Sequence, residues 1–204
     1  MQNLDSYEGS VAKGSVMDKS KELGITLEEA IMSAEAVIIV DVSGSMGAYV
    51  DENAIVKHNN TNSISQTRYD LAVKALEHYQ LQMDGKILVV AFSSFTIFCP
   101  NGYPKYIGGD TNMSGALEFC HVADKIPDMN FILISDGKPN NEALTLAQAQ
   151  RYQNKIHTVF IGDKSWGGEE FLKKLSDLTG GTSVADYKAV DLKLTLGNLL
   201  LLEG

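Results

Sequence analysis

Cysteine is scarce in this 204-residue sequence. Cys99 and Cys120 are the only two. They are too few for a disulfide framework and read as reduced thiols serving as small apolar side chains. Basic residues are also in short supply, with 17 Lys and Arg against 26 Asp and Glu and a net charge of −9. That balance argues against a nucleic-acid partner, because a phosphate backbone needs a basic face. It attracts cations in general. No apolar run approaches the length of a membrane helix. Met1 to Ser6 have neither a basic region nor an apolar core, so no signal peptide is expected. These absences lead to the expectation of a cytoplasmic protein with no membrane partner.

Several catalytic signatures are missing as well. No Gly-x-x-x-x-Gly-Lys-Ser/Thr phosphate loop occurs, and no Gly-x-Gly-x-x-Gly follows the first strand. The Gly-x-Ser-x-Gly nucleophile elbow is absent. His58, His78, His121 and His157 are scattered without metal-ligand spacing and read as surface or satisfied core residues. There is no internal repeat.

What remains is a globular chain, 44% hydrophobic, of a length that suits one domain with a short extension. Residues 1–33 read as a polar N-terminal arm, loosely ordered or docked, ending in a short helix. Thr26 is its expected cap, and Glu29 completes a capping box. The domain proper runs from 34 to 204. Its strands are expected at Ala36–Val40, Lys86–Phe92, Thr96–Phe98, Asn130–Ser135, Ile156–Ile161 and Thr182–Ala185. Helices are expected from Thr67 to Met83, Asn112 to Lys125, Glu142 to Asn154, Gly168 to Gly180 and Val190 to Leu202. Strands and helices alternate, which predicts a doubly wound α/β fold. The polar stretch from Ala48 to Thr67 is long for a strand-to-helix connection and should lie on the rim of any site at the first strand's end, where it would set partner specificity.

The most informative stretch is Ala36-Val37-Ile38-Ile39-Val40-Asp41-Val42-Ser43-Gly44-Ser45-Met46-Gly47. The unbroken, β-branched apolar run fits a strand buried on both faces. It ends on a carboxylate, followed by hydroxyls at alternate positions. Asp41, Ser43 and Ser45 stand at i, i+2 and i+4, which in a turning loop can aim three oxygens at one point. Such hard ligands suit Mg²⁺, Mn²⁺ or Ca²⁺. Taken singly, the motif also reads as an ordinary turn, Thr111 as a helix N-cap, and Asp136 as the turn chemistry of Asp136-Gly137.

Asp41-Val42-Ser43-Gly44-Ser45 resembles the Asp-x-Ser-x-Ser signature of von Willebrand factor A domains, and the resemblance covers about residues 34–202. The metal-ion-dependent adhesion site of that family also takes a Thr from a second loop and an Asp from a third. Thr111, in Gly108-Gly109-Asp110-Thr111-Asn112, and Asp136, after Phe131-Ile132-Leu133-Ile134-Ser135, stand in that order. The resemblance implies a mostly parallel sheet of about six strands with one antiparallel edge strand and helices on both faces. It implies a metal site of Asp41, Ser43, Ser45, Thr111 and Asp136 that holds Mg²⁺ (or Mn²⁺ or Ca²⁺). Its function would be to bind a partner protein through an Asp or Glu carboxylate, without catalysis. Asp110 would stand behind the ligands or face solvent. The alternative is a Mg²⁺-dependent phosphohydrolase or phosphotransferase with Asp41 as nucleophile. Haloacid-dehalogenase-like enzymes, however, carry a second Asp where Ser43 stands here.

Overall fold

The computed structural model describes residues 10–50, 66–162, 167–185 and 192–201. Six strands, β1 (Ala36–Asp41), β2 (Ile87–Phe92), β3 (Thr96–Phe98), β4 (Asn130–Ser135), β5 (Ile156–Phe160) and β6 (Ser183–Ala185), form one sheet in the order β3-β2-β1-β4-β5-β6. All neighbours run parallel except the edge strand β3, which is antiparallel to β2. The chain winds outward from β1 in both directions. This makes β1 and β4 the switch point, where open α/β sheets form a crevice at the strands' C-terminal ends.

Every residue of β1, β2, β4 and β5 is buried. Alternate side chains enter two separate cores, because successive residues of a strand point to opposite faces. Val37 and Ile39 lie in the core under α1 (Val16–Leu23), α2 (Leu27–Met32), α4 (Met113–Cys120), α5 (Glu142–Ala149) and α6 (Gly168–Thr179). Ile38 and Val40 lie in the core under α3 (Arg68–Met83) and α7 (Leu192–Leu201). A strand covered on both sides has no polar face, which is why β1 reads as a continuous apolar run. Among the described residues, no helix is long and apolar enough to cross a membrane.

The helix starts follow local chemistry. Thr26 with Glu29, and Thr67 with Asp70, form reciprocal capping boxes. Gly180 ends α6 in the left-handed conformation. Two helices are shorter than their sequence patterns predict. Helix α4 stops at Cys120 and is followed by a 3-10 turn over Ala123–Lys125, and α5 stops at Ala149. The buried Asp124 carboxylate accepts the backbone N–H groups of Gln153 and Asn154, each at 2.9 Å. This clamp draws the chain after α5 out of helical geometry and holds the two segments together.

The N-terminal segment holds an element that the sequence pattern does not announce. Ser15 caps α1, and the segment docks on the domain through Ala12 N–H to Asn101 O, Met17 N–H to Pro100 O, and Gly85 N–H to Gly14 O. Only Val16, Met17 and Ser20 of α1 are buried, too few positions to show a helical period. The stretch from 48 to 67 is pinned at its base by a bridge between Tyr49 and Thr67. Residues 51–65, and with them most of the expected specificity loop, lie outside the described residues. Cys99 and Cys120 are free and buried, and burial pushes their thiols up to about 11 and about 12.

Two glycines test whether the N-terminal segment is integral to the fold. A Cβ on Gly14 (φ +74°) would stand 2.0 Å from the Gln80 carbonyl oxygen, whereas one on Gly24 (φ +65°) meets nothing within 4 Å. Gly24→Ala should therefore carry only the left-handed penalty, about 1 kcal/mol. Gly14→Ala should add a steric cost and lose about 3 kcal/mol in denaturant melts. Equal losses would mean that α1 does not dock as described.

Candidate metal centre

Three loops meet above the C-terminal ends of β1 and β4. The first begins inside β1: Asp41 is its last residue, and Ser43 to Gly47 turn through a short 3-10 helix over Gly44–Gly47. The second loop lies against the first through backbone bonds, Gly108 N–H to Val42 O at 2.9 Å and Gly44 N–H to Gly109 O at 3.0 Å. Gly109 needs its positive φ (+85°), and a Cβ there would stand 2.7 Å from Ser94 Oγ. The third loop begins at Asp136, immediately after β4.

All five residues expected at the site converge in one hydrogen-bonded network. Ser45 Oγ donates to Asp136 Oδ1 at 2.7 Å, Ser43 Oγ and Ser45 Oγ lie 3.3 Å apart, and Thr111 Oγ1 donates to Ser43 Oγ at 3.2 Å. Asp41 accepts Ser43 N–H on Oδ1 at 2.8 Å and Ser135 Oγ–H on Oδ2 at 2.6 Å. Thr111 is not the cap of α4. Asn112 fills that position, its side chain accepting Gly115 N–H, which leaves the Thr111 hydroxyl for the site. Asp110 is exposed, and only its backbone N–H reaches Ser94 Oγ.

Asp41 and Asp136 are fully buried. Burial pushes the Asp41 carboxyl up to about 6; the hydrogen bonds from Ser135 and Ser43 act in the opposite direction, and the nearby Asp136 charge adds to the rise. It is still mainly ionised at neutral pH. Asp136 has a cationic partner, Arg68 Nη1, which donates to Oδ2 at 2.7 Å. Arg68 is itself buried, in the first turn of α3.

The donor set fits a hard divalent cation. It consists of three hydroxyls and two carboxylates; among the described residues no group of three or more His, Cys, Asp and Glu could hold a metal ion, so any ion held here would depend on the hydroxyls. The oxygen spacings fit too. Mg²⁺ holds its ligands octahedrally at about 2.1 Å, so neighbouring ligand oxygens stand about 3 Å apart. The linked oxygens here are 2.7, 3.2 and 3.3 Å apart.

Three contributors escaped the sequence reading. Ser135 reads as the last residue of a strand. Arg68 reads only as part of a first helical turn. Asn140, whose side chain accepts Thr111 N–H at 3.0 Å and whose own N–H reaches Thr111 O at 3.0 Å, reads as loop. None of the three carries a local signal for its role: the Ser135 hydroxyl serves not the adjacent Asp136 but Asp41, 94 residues away.

With sheet order and site in view, the fold is that of von Willebrand factor A domains, and solved structures agree. The chain is similar to a von Willebrand factor type A protein from Catenulispora acidiphila (TM-score 0.55, 17% identity, 82% of this chain and 42% of that one). It is similar to the ArnB paralog VWA2 from Sulfolobus acidocaldarius (0.51, 19%, 80% and 44%). It is also similar to the PilB minor pilin from Streptococcus sanguinis (0.57, 13%, 82% and 60%). The chain thus spans less than two thirds of the length of each. No family model and no curated protein matches the sequence.

The Ser135 hydroxyl donates to Asp41 Oδ2 at 2.6 Å, and both groups are fully buried. Ser135→Ala should lower stability in denaturant melts by about 2 kcal/mol, the usual cost of losing a hydrogen bond to a buried charge. A loss below about 0.5 kcal/mol would show that Asp41 does not depend on it.

Proposed function

We propose that this protein is a metal-dependent protein-interaction module. Ser43, Ser45 and Thr111 would ligate Mg²⁺, and Asp41 and Asp136 would hold it directly or through water; Mn²⁺ and Ca²⁺ accept the same donors. When bound, the ion supplies a Lewis-acidic position to which an Asp or Glu carboxylate of a partner protein can bind. One observation carries the reading: the side-chain oxygens of Ser43, Ser45, Thr111 and Asp136, from three separate loops, link up at spacings suited to an octahedral ion, with Asp41 joined to them through the Ser43 N–H. Two carboxylates against a divalent cation leave it electrophilic toward one more anion.

The same geometry supports a holding role for Asp41 over a nucleophilic one. Both of its oxygens are engaged and its side chain is fully buried, so it has no open face for in-line attack on a phosphorus centre. Neither nucleic acid nor membrane enters the proposal, since the chain is strongly acidic. The free, buried thiols support a reducing, cytoplasmic setting.

Calorimetry with MgCl₂ tests the reading. Wild type should bind one ion, and Ser43→Ala combined with Ser45→Ala should weaken binding at least about tenfold while retaining a cooperative melt. Equal affinity would remove the metal site; an unfolded double variant would make these hydroxyls structural. A partner captured in Mg²⁺ should be released by chelator. Mg²⁺-dependent phosphatase activity would revive the enzymatic alternative.

A further inference from the structure

The ion pair between Arg68 and Asp136 is an unusual thing to find inside a cation site. A guanidinium beside a metal repels it, and an arginine does not give up its proton. Yet Arg68 is buried, donates at 2.7 Å to Oδ2 of Asp136, and leaves Oδ1 of the same carboxylate to Ser45. Its position is firmly set. It is the first residue of α3, directly after the Thr67 capping box, and its backbone N–H is bonded to Ala48 O at the far end of the first loop. One residue thus ties together the loop that carries Ser43 and Ser45, the start of α3, and the acid of the third loop.

We propose that Arg68 is a built-in counter-ion of the site: it shares Asp136 with the divalent cation, keeps the empty site assembled, and holds cation affinity below what the two carboxylates alone would give. The inference rests on the metal reading above. The charges show why both tasks fall to one group. Asp41 and Asp136 are two buried anions at the ends of adjacent parallel strands, and without a cation beside them the loops they begin would be pushed apart. Arg68 brings the empty site to one net negative charge. A divalent ion then takes it to one net positive charge, where without Arg68 the loaded site would be neutral. In a chain of net charge −9 that local excess favours an anionic ligand over general repulsion. Metal loading would therefore change the sign of the site, with Arg68 as the fixed positive charge in both states.

Calorimetry with MgCl₂ and thermal melts in Mg²⁺ and in EDTA, on wild type, Arg68→Gln, Arg68→Met and Arg68→Lys, test this. Arg68→Gln and Arg68→Met should bind Mg²⁺ on the order of tenfold more tightly than wild type, because a positive charge next to the ion has gone. Both should melt well below wild type in EDTA and close to it in saturating Mg²⁺. Arg68→Lys keeps the charge and should bind Mg²⁺ with near-wild-type affinity. Unchanged or weaker Mg²⁺ binding by the Gln and Met variants would overturn the proposal, since a purely structural arginine cannot raise metal affinity when lost. Failure of both to fold even in saturating Mg²⁺ would overturn it too, because the ion supplies more charge than was removed. If wild type itself binds no Mg²⁺, the metal reading fails. The EDTA melts then still decide the counter-ion role, which fails in turn if Arg68→Gln and Arg68→Met melt with wild type.

Discussion

Two fully buried carboxylates, Asp41 and Asp136, stand at the C-terminal ends of adjacent parallel strands, and much of the surrounding structure follows from keeping them there. An uncompensated buried charge costs several kcal/mol, so each acid must be solvated by the protein. For Asp41 this is done by Ser43 N–H and the Ser135 hydroxyl. For Asp136 it is done by the Ser45 hydroxyl and the Arg68 guanidinium. These donors come from the first loop, β4 and α3. The electrostatic requirement of two side chains therefore fixes how three elements meet, and the Thr111 loop joins them through Ser43.

The sheet makes such burial affordable. Because β1 is sandwiched between β2 and β4 and covered on both faces, its backbone is rigid and its last residue lands at a defined height in the crevice. A site carried on a fixed strand end keeps its oxygens spaced with or without a ligand, in contrast to one held by a free loop. The backbone bonds from Gly108 to Val42 and from Gly44 to Gly109 extend that rigidity into the loops, at positions where glycine lets two chains approach. A hydroxyl-rich donor set suits this scaffold. Hydroxyls can be buried as neutral groups bonded to one another, whereas a cage of five carboxylates could not be kept closed without its ion.

Much of this was legible in the amino-acid order, for specific reasons. Strands buried on two faces show as unbroken apolar runs, which made β1, β2, β4 and β5 legible to within a residue or so; the partly buried β3 and β6 are marked instead by the Pro and Gly residues beside them, and the Thr26 and Thr67 boxes announce their helices through side chains only three residues apart. The spacing Asp41, Ser43, Ser45 is local as well. Arg68 was not legible, because a charged residue in a first helical turn looks the same whether it faces water or an acid brought from 68 positions away. The early end of α5 was hidden for a related reason: the chain after it is held by Asp124, about thirty residues away in sequence. Helix α1 buries too few side chains to show a period.

Local order thus determined the elements, their caps and the oxygen-bearing side chains at each strand end, because periodicity, capping and hydroxyl spacing act over fewer than about ten residues. Which of those side chains face one another was decided by the sheet order. By setting β4 beside β1, that order brings Asp136 within reach of Ser45 and Ser135 within reach of Asp41. It also turns Arg68 inward as the partner that neither neighbouring residues nor spacing could supply, since the charge it balances exists only once the two strand ends are side by side.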